Sequence, residues 1–414
     1  MSTWTIRRVG DMARLINGHP FDSDDFTPTG DVPLVRIRDI TAADFETYVP
    51  QHTVPQDKVL KDGDVVIGMD GDFNVIRWRR GTAALNQRVC ALRDTGVSDL
   101  RFLAYALPDH LKVINDLTYS TTVKHLSSGQ VTGLRITAPD RDDQGRIADY
   151  LDRETATIDA LIEKQRALVA GLRRRRVAAI VAATSGMQAN GDRGESASSW
   201  LKYMPAHWSE LPIKRILTDV QSGYWGSDEV GDGTDVRVVR VADFDRPTLS
   251  VGTAPTIRSV TPSERAKAAL RRGDLLMEKS GGTGINPVGF VVSYESDEES
   301  IFANFIVRLR PRPDQHARFW LYALNGAYTS GLTWKSVNQT TGIQNLDMAS
   351  FMSELFPVPP LDEQREIADH LDRETAKIDA LIAKAERFIE LAQERRAALI
   401  TAAVTGQLEI PTED

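Results

Sequence analysis

Residues 147–162 read IADYLDRETATIDALI, and residues 367–382, which lie 220 positions further along the chain, read IADHLDRETAKIDALI. Fourteen of the sixteen positions are identical in the two stretches. A repeat whose period is about half of the 414-residue chain indicates that one supersecondary unit occurs twice. The fold therefore has to accommodate two copies of the same element, together with whatever lies between them.

Both copies have the hydrophobic spacing of a coiled-coil helix. Apolar or small residues recur at alternating steps of three and four, a narrow stripe that is typical of the seam between two paired helices. The predicted seam residues are Leu151, Ile158, Ile162, Val169 and Leu172 in the first copy and Leu371, Ile378, Ile382 and Ile389 in the second. Asp142 and Asp362 are the predicted N-caps of the helices, and Gly186 and Gly406 are the predicted C-terminal stops.

The charges along the two predicted helices favour an antiparallel arrangement. Each helix starts with acidic residues, among them Asp142 and Asp362, and ends with a basic run at residues 173–176 or 395–396. An antiparallel pair places the acidic start of one helix beside the basic end of the other, and the same order suits each helix dipole. The simpler alternative is that the charges form solvated faces and that each helix packs on its own domain. Two matching seams in one chain favour the intramolecular pair.

The segments that precede the two helices are also related to each other. Three matching pairs are LVRIRDI at 34–40 with VVRVADF at 238–244, KDGDVVI at 61–67 with RRGDLLM at 271–277, and RFLAYAL at 101–107 with RFWLYAL at 318–324. The first two pairs have the pattern of strands, and the third has the pattern of a short amphipathic helix. The framework repeats while the connections differ, which indicates two domains that bind different things in the same way.

These patterns predict an α+β protein. Two globular mixed α/β recognition domains are separated by two long antiparallel helices, which form an intramolecular coiled coil with pseudo-two-fold symmetry. The predicted segments are a first recognition domain at 1–140, a first helix at 141–186, a linker at 187–205, a second recognition domain at 206–360, a second helix at 361–406 and a tail at 407–414. The small, polar residues at 187–199 are typical of a flexible linker.

Composition argues against several classes of protein. The net charge of −8 is not that of a protein that coats nucleic acid by bulk charge, so any DNA contact has to come from local basic patches or from partner subunits. The sequence has neither a signal-peptide pattern at its start nor a run of about 18 apolar residues, so we expect no membrane span. The single cysteine, Cys90, cannot form an intramolecular disulfide, and a cytoplasmic location is expected.

With the globular–helix–globular–helix order in place, the chain resembles the specificity subunits of type I restriction-modification enzymes. The resemblance covers essentially the whole chain. It rests on the repeated IADxLDRETAxIDALI motif, on RRxAxIxAAxxG at the end of both helices, and on PVPPLDEQ at 357–364. The corresponding entry to the first helix, APDRDDQ at 138–144, departs from the family pattern.

The resemblance implies how such a chain works. The two globular segments would be target recognition domains that each read one half of a split DNA sequence. The helices would hold the two domains apart and dock two methyltransferase subunits, and restriction subunits could then join. S-adenosylmethionine, ATP and Mg would be expected on those partner subunits, with no cofactor on this chain.

The sequence itself also favours a chain that is not an enzyme. It contains no G-x-x-x-x-G-K-[ST] phosphate loop. The segment INPVGF at 285–290 lacks the second proline of the methyltransferase motif (N/D)PP(Y/F), and a turn is the plainer interpretation. Asp274, Glu278 and Lys279 resemble a metal nuclease site only loosely, and the histidines have no metal-ligand spacing.

Reading of bases requires directed donors and acceptors on loops that can enter a groove. In the first domain an arginine cluster surrounds Trp78 at a predicted hairpin tip, for which a solvated hairpin is the alternative. In the second domain the segment KSGGTG at 279–284 offers backbone amides and hydroxyls to a phosphate, for which a flexible turn is the alternative. In both domains a polar segment follows the short amphipathic helix, for which a plain polar loop is the alternative. The predicted DNA-binding residues are Arg77, Arg79, Arg80, Ser120, Thr121, Thr122 and Lys124 in the first domain and Lys279, Ser280, Asn338, Gln339, Thr340, Thr341 and Gln344 in the second. Asn and Gln suit adenine, whereas Arg and Lys suit guanine.

Two other functions stay open on the sequence alone. One is a coiled-coil scaffold whose globular ends bind proteins, and direct binding to duplex DNA with a steep salt dependence separates it from the leading interpretation. The other is a self-contained methyltransferase or nuclease, which cofactor binding by the isolated chain would support. The leading interpretation predicts an asymmetric target whose two half-sites lie about one helical turn apart.

Overall fold

The computed structural model describes residues 3–117, 124–189, 191–283, 286–340 and 343–411, with the backbone alone at residues 339 and 340. The chain divides into two compact units. Unit 1 consists of Met1–Gln165 and Arg387–Asp414, and unit 2 consists of Arg166–Glu386. Among the described residues, no helix combines the length and the apolar character needed to cross a membrane.

Unit 1 is built from short strands that follow the apolar stretches of the sequence. The strands are β1 (Thr5–Arg8), β2 (Arg14–Asn17), β3 (Val32–Val35), β4 (Tyr48–Val49), β5 (Val59–Leu60), β6 (Val65–Gly68), β7 (Val75–Arg77), β8 (Ala83–Leu85), β9 (Val89–Arg93) and β10 (Arg135–Ala138). The helices are α1 (Val9–Met12), α2 (Leu100–Leu117), α3 (Ser128–Gly133) and α4 (Arg141–Thr184), whose last part belongs to unit 2. Single 3₁₀ turns lie at Ser23–Asp25, Ile37–Asp39, Gln51–Thr53 and Gln56–Lys58.

Two sheets form the centre of unit 1. One has the strand order β2-β9-β6-β7 with antiparallel neighbours, and the other has the order β4-β3-β8-β5, in which β3 and β8 are parallel. Side chains of the central strand β6 alternate between two cores. Val65 and Ile67 pack in the same cluster as helix α2, whereas Val66 packs with Trp78 and Leu85. Strands β1 and β10 form a separate antiparallel pair.

Unit 2 contains the corresponding elements and several more. Its strands are β11 (Arg193–Glu195), β12 (Tyr203–Pro205), β13 (Ser209–Pro212), β14 (Leu217–Ser222), β15 (Asp235–Val239), β16 (Phe244–Asp245), β17 (Ser250–Val251), β18 (Ile257–Ser259), β19 (Leu275–Glu278), β20 (Ser280–Gly282), β21 (Val291–Ser293), β22 (Ser300–Phe302), β23 (Ile306–Pro311), β24 (Val337–Thr340), β25 (Ile343–Leu346) and β26 (Leu355–Val358). Its helices are α5 (Pro262–Ala268), α6 (Ala317–Thr329), α7 (Met348–Phe351) and α8 (Leu361–Val404), whose last part belongs to unit 1. Single 3₁₀ turns lie at Ile213–Arg215, Val241–Asp243 and Leu332–Ser336.

The strand order of unit 2 repeats that of unit 1. The run β14-β23-β19-β21 corresponds to β2-β9-β6-β7, and β17 and β16 extend it. Strands β15 and β22 are parallel neighbours, as β3 and β8 are in unit 1, and the antiparallel pair β13–β26 corresponds to β1–β10. Unit 2 also contains the three-stranded sheet β20-β25-β24. The predicted repetition of the globular framework is therefore confirmed.

The long helices start at the predicted residues, 141 and 361, and end at 184 and 404, two residues before the predicted bounds. Helices α4 and α8 each contain 44 residues. Asp142 and Asp362 lie in the first turn and are not the N-caps, so that prediction was wrong. In α4 the carboxylate of Asp140 accepts a backbone N–H from the first turn at 2.9 Å and takes the capping role. Gly186 and Gly406 follow the helix ends with φ of 69° and 73°, a conformation that glycine adopts without strain.

Within each unit the two long helices run antiparallel. In unit 2, Arg176 of α4 lies 2.9 Å from Asp379 of α8. In unit 1, Arg396 of α8 lies 2.9 Å from Asp159 of α4. Each residue of the second pair is related to one of the first by the 220-residue repeat, so the same ion pair occurs twice. The carboxylates of both pairs are exposed, and ion pairs that water reaches contribute at most about 1 kcal/mol each, so these pairs chiefly mark the register of the helices.

Most of the predicted seam is buried, but the first turns of each helix pack elsewhere. The buried seam residues along the helix pair are Ile158, Ile162, Val169, Leu172 and Ile378. Ile382 and Ile389 are only partly buried. Leu151 and Leu371 lie in the cores of units 1 and 2 respectively. Packing of a helix on its own domain, the simpler alternative, therefore applies to the start of each long helix.

The segment predicted to be a flexible linker is folded. Strand β11 pairs antiparallel with β12. The carboxylate of Glu210, in β13, accepts the backbone N–H groups of Ala197 and Ser198 at 2.9 and 3.0 Å. The prediction failed because composition alone does not reveal that a distant carboxylate satisfies the backbone donors of a polar segment.

Candidate nucleic-acid interface

Each recognition domain is fixed to the start of a long helix by a repeated hydrogen-bond network. In unit 1 the hydroxyl of Tyr105 donates to Asp152 at 2.7 Å and lies 3.3 Å from the hydroxyl of Thr155. In unit 2 the hydroxyl of Tyr322 donates to Asp372 at 2.6 Å and has the same relation to the threonine three positions further on. The RFxxYAL and LDRET motifs therefore recur together because their side chains bind each other.

A buried glutamine in the first turn of each long helix makes a second repeated link. The side-chain N–H of Gln144 donates to the carbonyl of Pro139, and its oxygen accepts the N–H of Asp99, just before α2. Gln364 makes the equivalent bonds to a proline carbonyl and to the N–H of His316. Loss of such a partner would leave a buried amide unsatisfied, so these bonds fix the domain on its helix.

The carboxylates that loosely resemble a nuclease site are used in ion pairs. Asp274 lies 2.6 Å from Arg310, and Asp64 makes the corresponding pair in unit 1. Glu278 lies 2.7 Å from Arg246; burial raises the pKa of Glu278, and the arginine opposes that rise. Within the part of the chain that the structure describes, no group of three or more metal-ligating side chains is found. The geometry therefore assigns these carboxylates a structural role.

The predicted arginine cluster of unit 1 is not at a hairpin tip. Trp78 is fully buried, and its indole N–H donates to the carbonyl of Gly81 at 2.6 Å. Residues 78–82 connect β7 to β8, which belongs to the other sheet. The guanidinium of Arg80 donates to two backbone carbonyls and lies 3.8 Å from the ring centroid of Phe45. Arg80 therefore holds this connection in place. The prediction of a hairpin tip failed because Trp78 is buried in the apolar core.

Arg77 and Arg79 lie beside the start of α4. Their nearest carboxylate is that of Asp152, at 3.4 and 3.8 Å. Both line a cavity of about 460 Å³ whose other walls include α2 and the end of α8, with Arg396 among the lining residues. The side chain of Arg79 is 65% exposed, so its guanidinium is accessible to an anion such as a phosphate.

The second predicted segment of unit 1 is described only in part. It includes Ser120, Thr121 and Thr122, which lie outside the described residues. The ammonium of Lys124 donates to the backbone and side-chain oxygens of Asn115 at 2.6 and 2.9 Å, and the carbonyl of Lys124 accepts the N–H of Gly71. The next residue, His125, lies 2.6 Å from Asp70. The segment is thus tied to the loop between β6 and β7.

In unit 2 the structure brings two predicted segments together in one sheet. Strand β20 pairs with β25, and β25 pairs with β24. The hydroxyl of Ser280 donates to the side chain of Asn345, which is also the register partner of the exposed Asn338. Lys279, just before β20, donates to the hydroxyl of Ser222 at 2.9 Å, and burial lowers the pKa of its ammonium. Sites that were about 60 residues apart in sequence therefore share one sheet.

Gln344 is not the surface residue that the sequence predicts. It is 2% exposed, and its side-chain oxygen accepts the N–H of Val288 at 3.4 Å. Side chains alternate along β25, so Ile343 is exposed instead. Recognition of the segment as a β-hairpin would have supplied this alternation. Thr341 lies outside the described residues, and only the backbone is described at Gln339 and Thr340.

Two surface side chains that the sequence did not single out adjoin these segments. Arg88 precedes β9 in unit 1, and Phe305 precedes β23 in unit 2. The carbonyl of Arg88 accepts the N–H of Met69 at 3.0 Å, and that of Phe305 accepts the N–H of Lys279 at 2.9 Å. The shared bond makes the two positions equivalent. Alignment of the β8–β9 stretch with the β22–β23 stretch would have found them.

Comparison with known proteins identifies relatives of the whole chain. The family model of the type I restriction modification DNA specificity domain matches residues 1–169 and 265–390. The chain is similar to the specificity subunit of the type I restriction enzyme EcoBI of Escherichia coli, with 24% identity over 98% of this chain and 86% of the relative. It is also similar to the specificity subunit of EcoKI of Escherichia coli strain K12, with 20% identity over 98% and 89%.

Two solved structures have a similar fold. One belongs to a structural study of complex assembly and conformational transition in the type I R-M system; the TM-score is 0.65, with 18% identity and 98% of both chains covered. The other is the HsdS subunit of Thermoanaerobacter tengcongensis, with a TM-score of 0.52, 16% identity, and 98% of this chain and 97% of that chain covered. At these identities the likeness shows the fold alone.

Proposed function

The chain belongs to the family of type I restriction-modification DNA specificity subunits, and we propose that its two recognition domains read the two halves of a bipartite, asymmetric DNA target. The observation that carries the proposal is a repeated frame with different surfaces. The strand orders β2-β9-β6-β7 and β14-β23-β19-β21 correspond. The side chains at the candidate interfaces do not correspond, because Lys124 and Arg88 stand in one unit and Lys279, Asn338 and Phe305 in the other.

Different surfaces on the same frame favour a target that is not palindromic. Each domain would enter the major groove with its own set of donors and acceptors. Half-sites on one face of the duplex lie about one helical turn apart, roughly 34 Å from centre to centre. The base pairs between them would be spanned without base contacts, so their number should matter and their identity should not.

The long helices would set that spacing and dock two methyltransferase subunits. Support comes from large apolar side chains that are exposed at equivalent positions of α4 and α8. Leu161 and Leu381 are 42% and 52% exposed, and Leu168 and Phe388 are 49% and 41% exposed. Each pair differs by the 220-residue repeat, and within one helix the two residues are seven positions apart and share a face. Two equivalent faces would suit two copies of the same partner.

On this proposal the chemistry belongs to the partner subunits. S-adenosylmethionine would bind to the methyltransferase, and ATP and Mg to a restriction subunit, while this chain supplies the address on DNA. Support comes from the ion-paired state of Asp274 and Glu278, which leaves them engaged in the frame. The isolated chain is expected to bind duplex DNA with a steep salt dependence and to transfer no methyl group.

Genome-wide mapping of methylated sites, in cells that express the chain with its methyltransferase, tests the proposal. We expect an asymmetric two-part target. Asn338→Ala and Lys279→Ala should relax only the half read by unit 2, whereas Arg79→Ala should weaken only the other half. A whole heptad inserted into both long helices should lengthen the spacer and leave both half-sites unchanged.

Several outcomes would contradict the proposal. A continuous or palindromic target would exclude two different reading domains. A spacer whose length stays the same when the helices are lengthened would show that the helices do not set the spacing. Binding of proteins by the isolated chain without any affinity for duplex DNA would instead support a coiled-coil scaffold.

A further inference from the structure

Arg88 and Phe305 occupy the same place in the two recognition domains. Arg88 closes the turn between β8 and β9, and Phe305 closes the turn between β22 and β23. In each unit the carbonyl of this residue accepts the N–H of the residue that follows the central strand, β6 or β19. The two side chains therefore leave corresponding frames at corresponding points, and what differs is their chemistry.

Arg88 is linked through Asp70 to His125, which comes directly after the predicted DNA-reading segment of unit 1. Its side chain is 56% exposed, and its Nε is 3.7 Å from an Oδ of Asp70. Asp70 also contacts the ring of His125, which directly follows Lys124. An ion pair that is this long and exposed is weak, so the guanidinium can exchange it for a base. A guanidinium reads guanine by donating to both O6 and N7 in the major groove.

Phe305 lies beside strand β20 of the candidate interface of unit 2 and is 47% exposed. A Cβ added to Gly281 of β20 would lie 3.4 Å from the Phe305 ring, so the ring borders the sheet that carries Ser280. Gly281 has a φ of 100°, a conformation that favours glycine. Because Gly281 has no side chain, the Phe305 ring lies close to β20. A lone exposed apolar side chain is ordinary on a protein surface. Phe305 is distinctive because it stands within a polar candidate interface, where an apolar group can recognise the methyl group of thymine.

We infer that positions 88 and 305 are a matched pair of specificity-determining positions. Arg88 selects a guanine in the half-site read by unit 1, and Phe305 covers the C5-methyl group of a thymine in the half-site read by unit 2. This inference rests on the proposed function, since it names two of the contacts by which the domains read DNA.

The complex of the full chain with its methyltransferase subunits is titrated with duplexes that carry the mapped target. Each thymine of the half-site read by unit 2 is replaced in turn by deoxyuridine, which lacks only the methyl group. One replacement should lower the affinity of the unmodified chain about fourfold, the value of one buried methyl group. The same replacement should have no effect on Phe305→Ala. Phe305→Leu keeps an apolar contact and should stay sensitive.

A parallel series tests Arg88. Each guanine of the other half-site is replaced by 7-deazaguanine, which lacks the N7 acceptor. One replacement should lower the affinity of the unmodified chain about tenfold, and this loss should be absent in Arg88→Ala. Arg88→Ala should still respond to deoxyuridine in the half-site read by unit 2, and Phe305→Ala should still respond to 7-deazaguanine in the other.

The outcomes separate this inference from the proposed function. If Phe305→Ala lowers affinity equally for thymine and deoxyuridine duplexes, the ring is structural and the assignment is wrong. If no thymine is sensitive while an asymmetric two-part target is still methylated, the inference also fails but the proposed function stands. Absence of a two-part target would overturn the proposed function itself.

Discussion

Helices α2 and α6 show how the two recognition domains differ beneath a shared frame. Both carry the tyrosine that binds the start of a long helix, and four positions later α2 has Asp109 where α6 has Gly326. A Cβ at Gly326 would lie 3.0 Å from Thr184 and 3.6 Å from Ile180, so α6 packs directly on the end of α4. In unit 1, Asp109 accepts a hydrogen bond from the end of α8, and a cavity of about 460 Å³ lies beside it. The two domains therefore share the tyrosine that binds the start of one long helix, which we call the anchor. They differ in how closely α2 and α6 pack on the end of the other long helix.

A second difference lies at the ends of the central strands. Strand β6 ends at Gly68, where a Cβ would lie 3.1 Å from a methyl group of Ile40. Strand β19 ends at the buried Glu278, which pairs with Arg246 in the connection after β16. Unit 2 thus has a buried carboxylate paired with a partly exposed arginine where unit 1 has a close apolar contact. That pair is adjacent in sequence to Lys279, at the border of the candidate interface.

Transfer of the aspartate of unit 1 into unit 2 should have the largest effect. Gly326→Asp would bury a carboxylate against Thr184 and Ile180, at a cost of roughly 4 kcal/mol. Hydrogen exchange of the β19 and β23 amides measures the expected loss of stability in unit 2. The stability of unit 1 should not change, and the rate of thiol labelling of Cys90 measures it. Cys90 reports opening of unit 1 because it is fully buried and burial raises its pKa to about 12.

The reciprocal variant Asp109→Ala is the matched control for Gly326→Asp. It removes the acceptor of the 2.8 Å hydrogen bond from Thr401, and we expect a loss of about 1 kcal/mol that is confined to unit 1. Labelling of Cys90 should become faster, while exchange in unit 2 stays the same. Equal effects of the two variants on both units would contradict the comparison of α2 with α6.

Removal of Arg246 should have the next largest effect. Arg246→Met keeps an apolar stem near Phe290 but leaves Glu278 buried without its partner, which should cost unit 2 roughly 3 kcal/mol. Urea unfolding followed by hydrogen exchange at β19 measures this cost. Arg272→Met is the control, because Arg272 is 62% exposed and should change stability by less than about 0.5 kcal/mol. Similar losses of stability in the two variants would show that Arg246 stabilises unit 2 no more than an exposed arginine does.

The parts of the fold that the sequence predicts are those that depend on local periodicity. The seam spacing located both long helices to within a few residues, and the glycines at 186 and 406 marked their ends. The paired stretches before the helices located the central strands because a fully buried strand such as β6 needs a continuous apolar run. Capping was predicted less well, since the choice between Asp140 and Asp142 depends on where the chain leaves β10.

The parts that the sequence missed depend on contacts between distant residues. Composition at 187–199 suggested a linker, but Glu210 binds that segment. Alternation in β25 buries Gln344, and that alternation becomes apparent only when the hairpin is paired. Trp78 was predicted to lie at a hairpin tip, but it fills the core between the two sheets. The candidate interface of unit 2 could not be predicted from the sequence, because β20 and β25 are distant in the sequence and become neighbours only through strand pairing.

The shared anchor should respond more weakly and in the same way in both units. Tyr105→Phe and Tyr322→Phe each remove one hydroxyl from the equivalent bonds to Asp152 and Asp372, and each should cost about 1 kcal/mol. Hydrogen exchange of α2 and α6 measures the two losses separately. A loss in one unit alone would show that the anchor, too, has diverged between the domains.

The smallest expected effect is the pH dependence that Glu278 contributes. Burial raises the pKa of Glu278 above its ordinary value of 4.5, so the folded state holds this proton more tightly than the unfolded state does. The corresponding stability is complete below pH 4.5 and is lost as the pH rises through the raised pKa. Glu278→Gln cannot lose a proton, so its stability relative to the unmodified chain should increase as the pH rises from 4 to 7.

Glu264 provides a control of opposite sign within the same unit. The N–H and hydroxyl of Thr261 donate to its carboxylate at 2.9 and 2.8 Å and lower its pKa. Its contribution is therefore present above the ordinary pKa and is lost as the pH falls. The stability of Glu264→Gln relative to the unmodified chain should decrease as the pH rises over the same range. Urea titrations at pH 4, 5.5 and 7 measure both differences. If the stabilities of the two variants changed with pH in the same direction, burial would not be what determines the pKa of Glu278. The contrast with the apolar contact between Gly68 and Ile40 in unit 1 would then have no electrostatic consequence.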